Sequence, residues 1–201
     1  MTIPGNYVIR LTANGKNGKD TTWGVDSEGN SLTSFYNFDW SGNGWSNDAL
    51  IVNNNARAVI NVTPCYKTIY SSTSSTTVLG RSASFRFKTI NENTEEELIT
   101  CYSSNTDGFK IYPQKAVIYR GTSTIETTFT TEDSIKEVTF VWYNTSYGSV
   151  SIIYVNGTSQ AVLTSGTSSS NSAKINITAN ETSLYLYNVE TYERALNFNE
   201  V

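Results

Sequence analysis

The sequence lacks histidine, contains only two cysteines and has no long hydrophobic run. The absence of histidine excludes the Ser-His and Cys-His catalytic pairs and every metal site built on imidazole. Cys65 and Cys101 stand too far apart for a zinc motif. Small secreted scaffolds contain more cysteine, so we expect buried thiols rather than a disulfide. No apolar stretch approaches the roughly 18 residues that cross a bilayer, and we predict no membrane insertion.

Concentrated positive charge is also missing. The chain has 14 lysines and arginines against 18 aspartates and glutamates, a net charge of -4, and the basic residues are scattered. Phosphate backbones are bound by clustered basic residues, so nucleic acid is excluded as a partner. Only 16% of the residues are charged, and the abundant serine, threonine and asparagine give an uncharged polar surface that suits hydroxyl-rich ligands. The 201 residues fit one domain spanning 1–201, since one core suffices for this length.

A regular alternation of apolar and polar residues runs through the chain. The segment SASFRFKT at 82–89 places its apolar side chains at the odd positions. This period of two predicts a strand with one buried and one wet face. Asn14-Gly15 and Asn156-Gly157 mark tight turns, because both residue types tolerate positive φ. The chain is therefore predicted to be all-β. The predicted strands are 7–12, 50–52, 57–62, 82–89, 97–103, 109–112, 116–120, 137–143, 150–155, 159–163, 174–178 and 183–189.

Three segments depart from this alternation. Residues 71–77 and 165–172 are rich in serine and threonine, and we predict surface loops there, because a domain boundary at either would leave too few strands to bury a face. Residues 131–136 are predicted to form at most a short helical turn.

Three segments of the last third resemble laminin-G-like domains of the concanavalin A-like group. They are VTFVWY at 138–143, SIIYVNG at 151–157 and LYLYNVETYERALNFNEV at 184–201, in that order. RLTANGKNGKD at 10–20 and NGWSNDALIVNN at 43–54 match more loosely. The resemblance implies an antiparallel jelly-roll sandwich of two sheets, in which the first strand lies beside the last. It also implies that the chain is one module of a larger protein.

Acidic residues are candidates for catalysis, because some concanavalin A-like domains are glycosidases and these need only two carboxylates. The glycosidase motif places its carboxylates at alternate positions of a strand. The nearest acidic cluster, Glu92, Glu95, Glu96 and Glu97, precedes a strand and lacks this spacing. We interpret it as a solvated loop and predict that the protein is not an enzyme.

Calcium is the one cofactor that a loop suggests. Asp20, Asp26, Glu28 and Asn30 lie close together in a turn-rich segment, and calcium requires several oxygen ligands. The segment lacks the glycine and the distal glutamate of a helix-loop-helix site. A polar loop without metal is the favoured interpretation, so the sequence predicts no cofactor.

Exposed aromatic rings remain as candidates for a binding site, because sugar rings stack on them while neighbouring polar groups bind hydroxyls. Trp142 lies in a strong predicted strand and is predicted to be core. Trp23 and Trp45 lie in predicted loops, where packing is slightly favoured over ligand contact and both stay open. The candidate glycan-binding residues are Trp23, Asp26, Trp45, Asn47, Asp48 and Tyr147.

The predicted function is a noncatalytic recognition or structural module of a bacteriophage virion, in a fibre, tail or capsid-decorating protein. It rests on the resemblance to phage-borne laminin-G-like domains and on the absence of a signal-peptide pattern in 1–11. The expected partners are cell-surface or polysaccharide glycans, or other virion proteins. The alternatives are a carbohydrate-binding module of a secreted bacterial protein and, less favoured, a polysaccharide-degrading enzyme.

Overall fold

A computed structural model describes most of the chain. The described residues are 7–17, 20–26, 28–40, 44–46, 48–61, 80–90, 93–101, 108–120, 122–129, 134–145, 148–165, 174–192 and 194–201. Within this part, no helix is long and apolar enough to span a membrane.

The described residues form fifteen β-strands. They are β1 Tyr7–Thr12, β2 Thr33–Tyr36, β3 Trp45–Ser46, β4 Ala49–Val52, β5 Ala56–Ile60, β6 Gly80–Ile90, β7 Ile99–Cys101, β8 Gly108–Ile111, β9 Lys115–Arg120, β10 Ser123–Thr128, β11 Lys136–Thr145, β12 Gly148–Val155, β13 Thr158–Ser165, β14 Ile175–Ala179 and β15 Ser183–Tyr192.

The strands form two antiparallel sheets, as predicted. The eight-stranded sheet has the order β13-β12-β11-β6-β15-β4-β3, with β1 also paired to β15. The seven-stranded sheet has the order β10-β9-β8-β7-β14-β5-β2. The predicted pairing of the first strand with the last is confirmed, since β1 runs antiparallel to β15 from Tyr7 opposite Tyr192 to Thr12 opposite Asn188.

Two strands share one edge of β15. β1 pairs with the second half of β15, and β4 pairs with its first half, where Leu186 faces Leu50. β6 lies along the other edge. The end of β1 and the start of β4 therefore meet beside the middle of β15, and this junction positions the site described below.

A core of apolar side chains fills the space between the sheets. Phe109 of the smaller sheet stacks on Phe140 of the larger one with ring centroids 4.5 Å apart, and Trp142 lies 5.9 Å beyond Phe140. Phe85 packs against Phe109 from β6 at 5.3 Å. Trp142 is 3% exposed, so its predicted place in the core is confirmed.

The last residues, 194–201, cover part of the outer face of the larger sheet, and we call them the C-terminal tail. Leu196 and Val201 pack there on Val141, Tyr154 and Tyr192 in a second apolar cluster. The sheet is thus buried on both faces near β11 and β12, while its outer face stays open around β1 and the middle of β15.

Every predicted strand overlaps an observed one. β2, β3 and β10 were not predicted from the sequence. β3 has only two residues, and β10 (STIETT) lacks a clear alternation of apolar and polar residues. Ser82 and Ser84, predicted on a wet face, are buried. Ser82 is covered by the C-terminal tail, and the Ser84 hydroxyl bonds that of Thr139 at 2.9 Å.

Other predictions fall partly outside the described residues. Lys136 opens β11 and is not the end of a helical turn, while 131–133 lie outside the described part. Cys101 is a buried thiol in β7, and Cys65 lies outside. The segment 71–77 is likewise outside, and of 165–172 only Ser165, the last residue of β13, is described.

Candidate functional site

The middle of β15 contains a β-bulge that faces solvent. Leu186 pairs with Phe87 of β6, the next paired residue is Asn188 opposite Arg86, and Tyr187 is the additional residue between them. Leu186 and Phe87 are fully buried, whereas Tyr187 and Asn188 are both partly exposed. A bulge of this kind turns two successive side chains to one face, and bulges recur beside binding sites. Here the bulge places an aromatic ring and an amide side by side on the outer face.

An arginine lies over this aromatic ring. The Arg86 guanidinium carbon is 5.8 Å from the centroid of the Tyr187 ring, within the range of a cation-π contact. Arg86 is exposed, and the structure records no ion pair for it with any carboxylate of the described residues. Among the described residues, Arg86 therefore offers a guanidinium without a carboxylate in ion-pair contact, although Glu137 lies opposite it in the register of β6 and β11.

A second arginine approaches from β1. Arg10 lies opposite Glu190 in the strand register, and its Nε is 3.0 Å from a Glu190 carboxylate oxygen. The side chains are 35% and 18% exposed, respectively. The ion pair fixes Arg10 at the edge of the bulge and neutralises most of its charge.

The turn between β3 and β4 supplies a carboxylate. Asp48 has a φ of 59°, in the left-handed region that aspartate tolerates better than most residues. Its Oδ1 accepts a 3.4 Å hydrogen bond from the backbone N of Gly15, in the turn that follows β1. Ala13 N donates in turn to the Tyr187 carbonyl at 2.9 Å. These bonds hold the turns after β1 and before β4 against the bulge.

Together these groups surround a cleft of about 680 Å³, which we call the β15 cleft. Ile135, which is 44% exposed, adds an apolar wall. The cleft is lined by Arg10, Thr12, Asn14, Asp48, Arg86, Ile135, Tyr187 and Asn188. Such a mixture of one ring, one apolar side chain and convergent polar groups is typical of small-ligand sites.

The two candidate tryptophans of the sequence are core residues. Trp23 and Trp45 are 1% and 5% exposed, and their rings meet edge to face at 5.7 Å. Each indole N–H has a carbonyl acceptor, Thr12 O at 3.0 Å for Trp23 and Asp20 O at 2.6 Å for Trp45. Burial therefore leaves no donor unsatisfied. Packing, the favoured alternative, describes both rings, and neither presents a face to a ligand.

The calcium candidates are engaged by protein groups: Asp20 by Lys16, and Asp26 and Glu28 by Asn30, whose Nδ2 donates to both carboxylates. The Asp20 carboxylate lies 2.6 Å from Lys16 Nζ, and this bond lowers its pKa. Asp26 Oδ1 accepts hydrogen bonds from the backbone N of Asn30 and of Glu28. The pKa of Asp26 is lowered, mainly by its hydrogen bonds with Asn30. Asp26 is exposed in this loop, away from the β15 cleft lining. In the described part of the chain no three acidic or cysteine side chains are grouped to hold a metal.

Of the remaining candidate glycan-binding residues, one is described by the structure and two are not. Asp48 lines the β15 cleft, whereas Asn47 and Tyr147 lie outside the described residues. The sequence reasoning missed Arg86 and Tyr187. Their signal was the alternation of tyrosines at 185 and 187 opposite the basic residues 86 and 88, but the register that joins β6 to β15 was needed to bring them together.

The acidic cluster before β7 is structural. The Glu96 carboxylate accepts hydrogen bonds from the backbone N of Asn180 and of Thr182, the latter at 2.8 Å. Glu97 Oε1 lies 2.6 Å from Lys110 Nζ. These carboxylates hold the β14–β15 turn and β8 in place, and Glu92 lies outside the described residues. No catalytic pair emerges among the described glutamates of this cluster.

No protein-family model and no curated protein matches the sequence. Solved structures share the fold. Botulinum neurotoxin type C, which interacts with two ganglioside molecules, superposes with a TM-score of 0.64 and 12% identity over 97% of this chain and 50% of that chain. The botulinum neurotoxin DC binding domain, in complex with rat synaptotagmin II, gives 0.64 and 13% over 99% and 51%. The type G receptor-binding domain gives 0.59 and 13% over 98% and 50%.

These similarities concern architecture. At 12–13% identity they show a shared fold. The chain spans about half the length of each of these structures. The ligands of those proteins are therefore not assigned to this chain by the shared fold.

Proposed function

We propose that the chain is a noncatalytic carbohydrate-recognition module that binds sugars in the β15 cleft. The observation that carries the proposal is the composition of the cleft, in which a tyrosine ring, guanidinium groups, a carboxylate and amides face one volume of about 680 Å³. Ligand pockets of about 300–1,000 Å³ are usual for small molecules. A monosaccharide or disaccharide fits this space, with an apolar sugar face toward Tyr187 and hydroxyls toward the polar groups.

The charge of the cleft favours an acidic sugar. Asp48 is the one carboxylate among the described lining residues, whereas Arg10 and Arg86 both line the cleft. Arg10 is paired with Glu190, so Arg86 is the group that remains to bind a carboxylate. A guanidinium binds a carboxylate through two parallel hydrogen bonds. Sialic and uronic acids carry such a carboxylate.

Binding without hydrolysis follows from the same list of groups. Glycoside hydrolysis requires two carboxyl groups on opposite sides of the scissile bond. Asp48 alone is present among the described residues that line the cleft, and its Oδ1 already accepts a bond from Gly15 N. The cleft therefore supports recognition of a sugar and not its cleavage.

The structural neighbours support a role in recognition. One neurotoxin interacts with gangliosides, and another binding domain was solved with a protein receptor. The setting that we propose is a bacteriophage virion, where repeated copies in a fibre, tail or capsid would multiply a low affinity. The alternative is a module of a secreted bacterial protein, which the similarity to toxin binding domains supports. The neighbouring genes decide between them: tail or capsid genes support the virion, and a signal peptide in the full gene supports secretion.

The first prediction concerns Arg86 and Tyr187. A glycan array that includes sialylated and uronate-containing oligosaccharides is expected to return acidic hits. For the best hit, calorimetry should show that Arg86→Gln and Tyr187→Ala each weaken binding roughly tenfold or more, because a hydrogen bond to a charged group contributes about 1.5–3 kcal/mol. The Arg86→Gln effect should shrink for the reduced, carboxylate-free form of the same sugar.

Two residues on the same strands, next to Arg86 and Tyr187, serve as matched controls. Lys88 and Tyr185 occupy the same outer face of β6 and β15, where Lys88 Nζ is 5.8 Å from the Tyr185 ring centroid, and neither lines the cleft. Lys88→Gln and Tyr185→Ala should leave affinity within twofold. An acidic hit that tolerates Arg86→Gln and Tyr187→Ala would remove the β15 cleft as the site.

A further inference from the structure

A second cleft lies on the opposite sheet. Three outward side chains stand in a row across β2, β5 and β14, because Tyr36 pairs with Arg57 and Arg57 pairs with Thr178 in the strand register. They border a space of about 540 Å³, which we call the asparagine cleft. Its rim contains Asn37, Asn55 and Asn180. Among the described residues, none of those that line the β15 cleft contributes to it.

An aromatic ring is exposed in this cleft. Tyr36 is 48% exposed, although the burial of apolar ring surface is favourable. The Arg57 guanidinium carbon lies 4.9 Å from the centroid of its ring. This cation-π contact favours the observed orientation of the ring, and such ordering before binding reduces the entropy lost on binding. A prearranged ring beside a hydrogen-bond donor is suited to the apolar face and hydroxyls of a sugar.

The rim asparagines are presented by fixed backbone. Asn37 and Asn55 have φ values of 59° and 64°, the left-handed conformation that asparagine adopts readily. Asn37 Nδ2 donates to the Asn55 carbonyl at 3.3 Å, and Asn55 N donates to the Ala179 carbonyl at 3.0 Å. Asn180 is held by its backbone N, which donates to Glu96. Each asparagine amide both donates and accepts, as a sugar hydroxyl requires.

Carboxylates outnumber cations among the described residues that line the asparagine cleft. Glu96 is engaged by two backbone N–H groups and Glu97 by Lys110 and the Tyr112 hydroxyl. Arg57 is the one cation among the described lining residues, which also include Glu96 and Glu97. A carboxylate-bearing ligand would meet repulsion from Glu96 and Glu97, whereas a neutral one would not. The two carboxylates therefore make the cleft less favourable for an acidic sugar than for a neutral one.

We propose that the asparagine cleft is a second sugar-binding site, for neutral hexoses or N-acetylhexosamines. It binds independently of the β15 cleft, since the two sites share no described residue and lie on the outer faces of different sheets. One domain would then engage two glycans of different charge at once. A polymer that presents both kinds of sugar would be bound with an affinity raised by the linkage of two weak sites.

The test is a titration of the ¹⁵N-labelled chain, followed by NMR, with four neutral trisaccharides: maltotriose, mannotriose, cellotriose and chitotriose. At least one is expected to bind at millimolar concentration and to shift the side-chain amide signals of the rim asparagines. Tyr36→Ala should weaken this binding at least tenfold. Asn55→Gly should weaken it severalfold with little effect on the fold, because glycine adopts the φ of 64° found at this position.

Two further variants separate this proposal from the proposed function. Arg86→Gln and Tyr185→Ala should leave the neutral trisaccharide bound as before. The second site is overturned if no trisaccharide binds, if binding survives both Tyr36→Ala and Asn55→Gly, or if Arg86→Gln removes it. Binding of an acidic sugar that depends on Arg86 would stand in each of the first two cases.

Discussion

At the scale of single residues, the aromatic cluster at one end of the sandwich explains why Trp23 and Trp45 are buried, as the favoured packing interpretation expects. Phe35 and Trp40 pack with centroids 5.1 Å apart, and Phe35 meets Trp45 at 6.2 Å. A tryptophan in a loop is buried as readily as one in a strand when its N–H can reach a carbonyl. Trp23 and Trp45 both do so.

The glycine beneath this cluster is a sensitive position. A Cβ at Gly44 would lie 2.3 Å and 2.5 Å from two ring carbons of Trp40. Gly44→Ala should therefore displace the Trp40 ring and lower the free energy of unfolding by about 1–3 kcal/mol, as overpacked sites do. Urea denaturation measures the loss.

The control is the same substitution in a Trp40→Ala background. With the ring absent, Gly44→Ala should cost much less, and the double-mutant cycle isolates the clash. Equal costs in both backgrounds would show that the backbone of Gly44, and not the Trp40 ring, sets the requirement for glycine.

At the scale of elements, the C-terminal tail behaves as a clamp on the larger sheet. The Ser82 hydroxyl donates to the Arg194 carbonyl and accepts from Leu196 N, both at 2.9 Å. Gly80 gives the tail room, since a Cβ there would lie 2.4 Å from Ala195 N. A bidentate ion pair joins the first residue of the tail to its penultimate one. Both terminal nitrogens of Arg194 lie 2.7 Å from Glu200 carboxylate oxygens.

This ion pair within the tail makes the stability of the fold dependent on pH. The pKa of Glu200 is lowered below its ordinary value, mainly by the hydrogen bonds from Arg194. A carboxylate with a depressed folded-state pKa stabilises the fold fully above its unfolded pKa of about 4.3, and this contribution is lost as pH falls through the folded pKa. Glu200→Gln should therefore cost roughly 0.5–1 kcal/mol at pH 7, since the pair is partly exposed.

The measurement is urea denaturation of both proteins at pH 7 and pH 3. The difference between them should be smaller at pH 3, because the contribution of Glu200 begins to decline below the unfolded pKa of about 4.3 and is lost as pH falls through the lowered folded pKa. High salt should reduce it at pH 7. A difference that stays constant with pH would assign the effect of Glu200→Gln to the hydrogen bond from Asn197 N, at 2.9 Å, and not to charge.

At the scale of the whole molecule, alternation and turn residues were sufficient to predict the fold class, because period-two burial determines which face each side chain takes. The Asn156-Gly157 hairpin is confirmed, with φ values of 50° and 77°. The β15 cleft could not be predicted, because it depends on a bulge and on the meeting of β1 and β4 beside it. These are long-range register features, and no local pattern around Arg86 or Tyr187 encodes them.

The topology predicts how the molecule unfolds. β15 joins three other strands, β1, β4 and β6, and the core cluster contains residues of both sheets. The amides of β6 and β15 in the larger sheet and of β14 in the smaller one should therefore exchange with solvent only through global unfolding. Their free energies of opening should equal the value from urea denaturation, while those of the edge strands β10 and β13 should be lower. Hydrogen exchange measured by mass spectrometry tests this. Two distinct free energies, one for β6 and β15 and another for β14, would mean that the sheets unfold separately, against the prediction of one domain over 1–201.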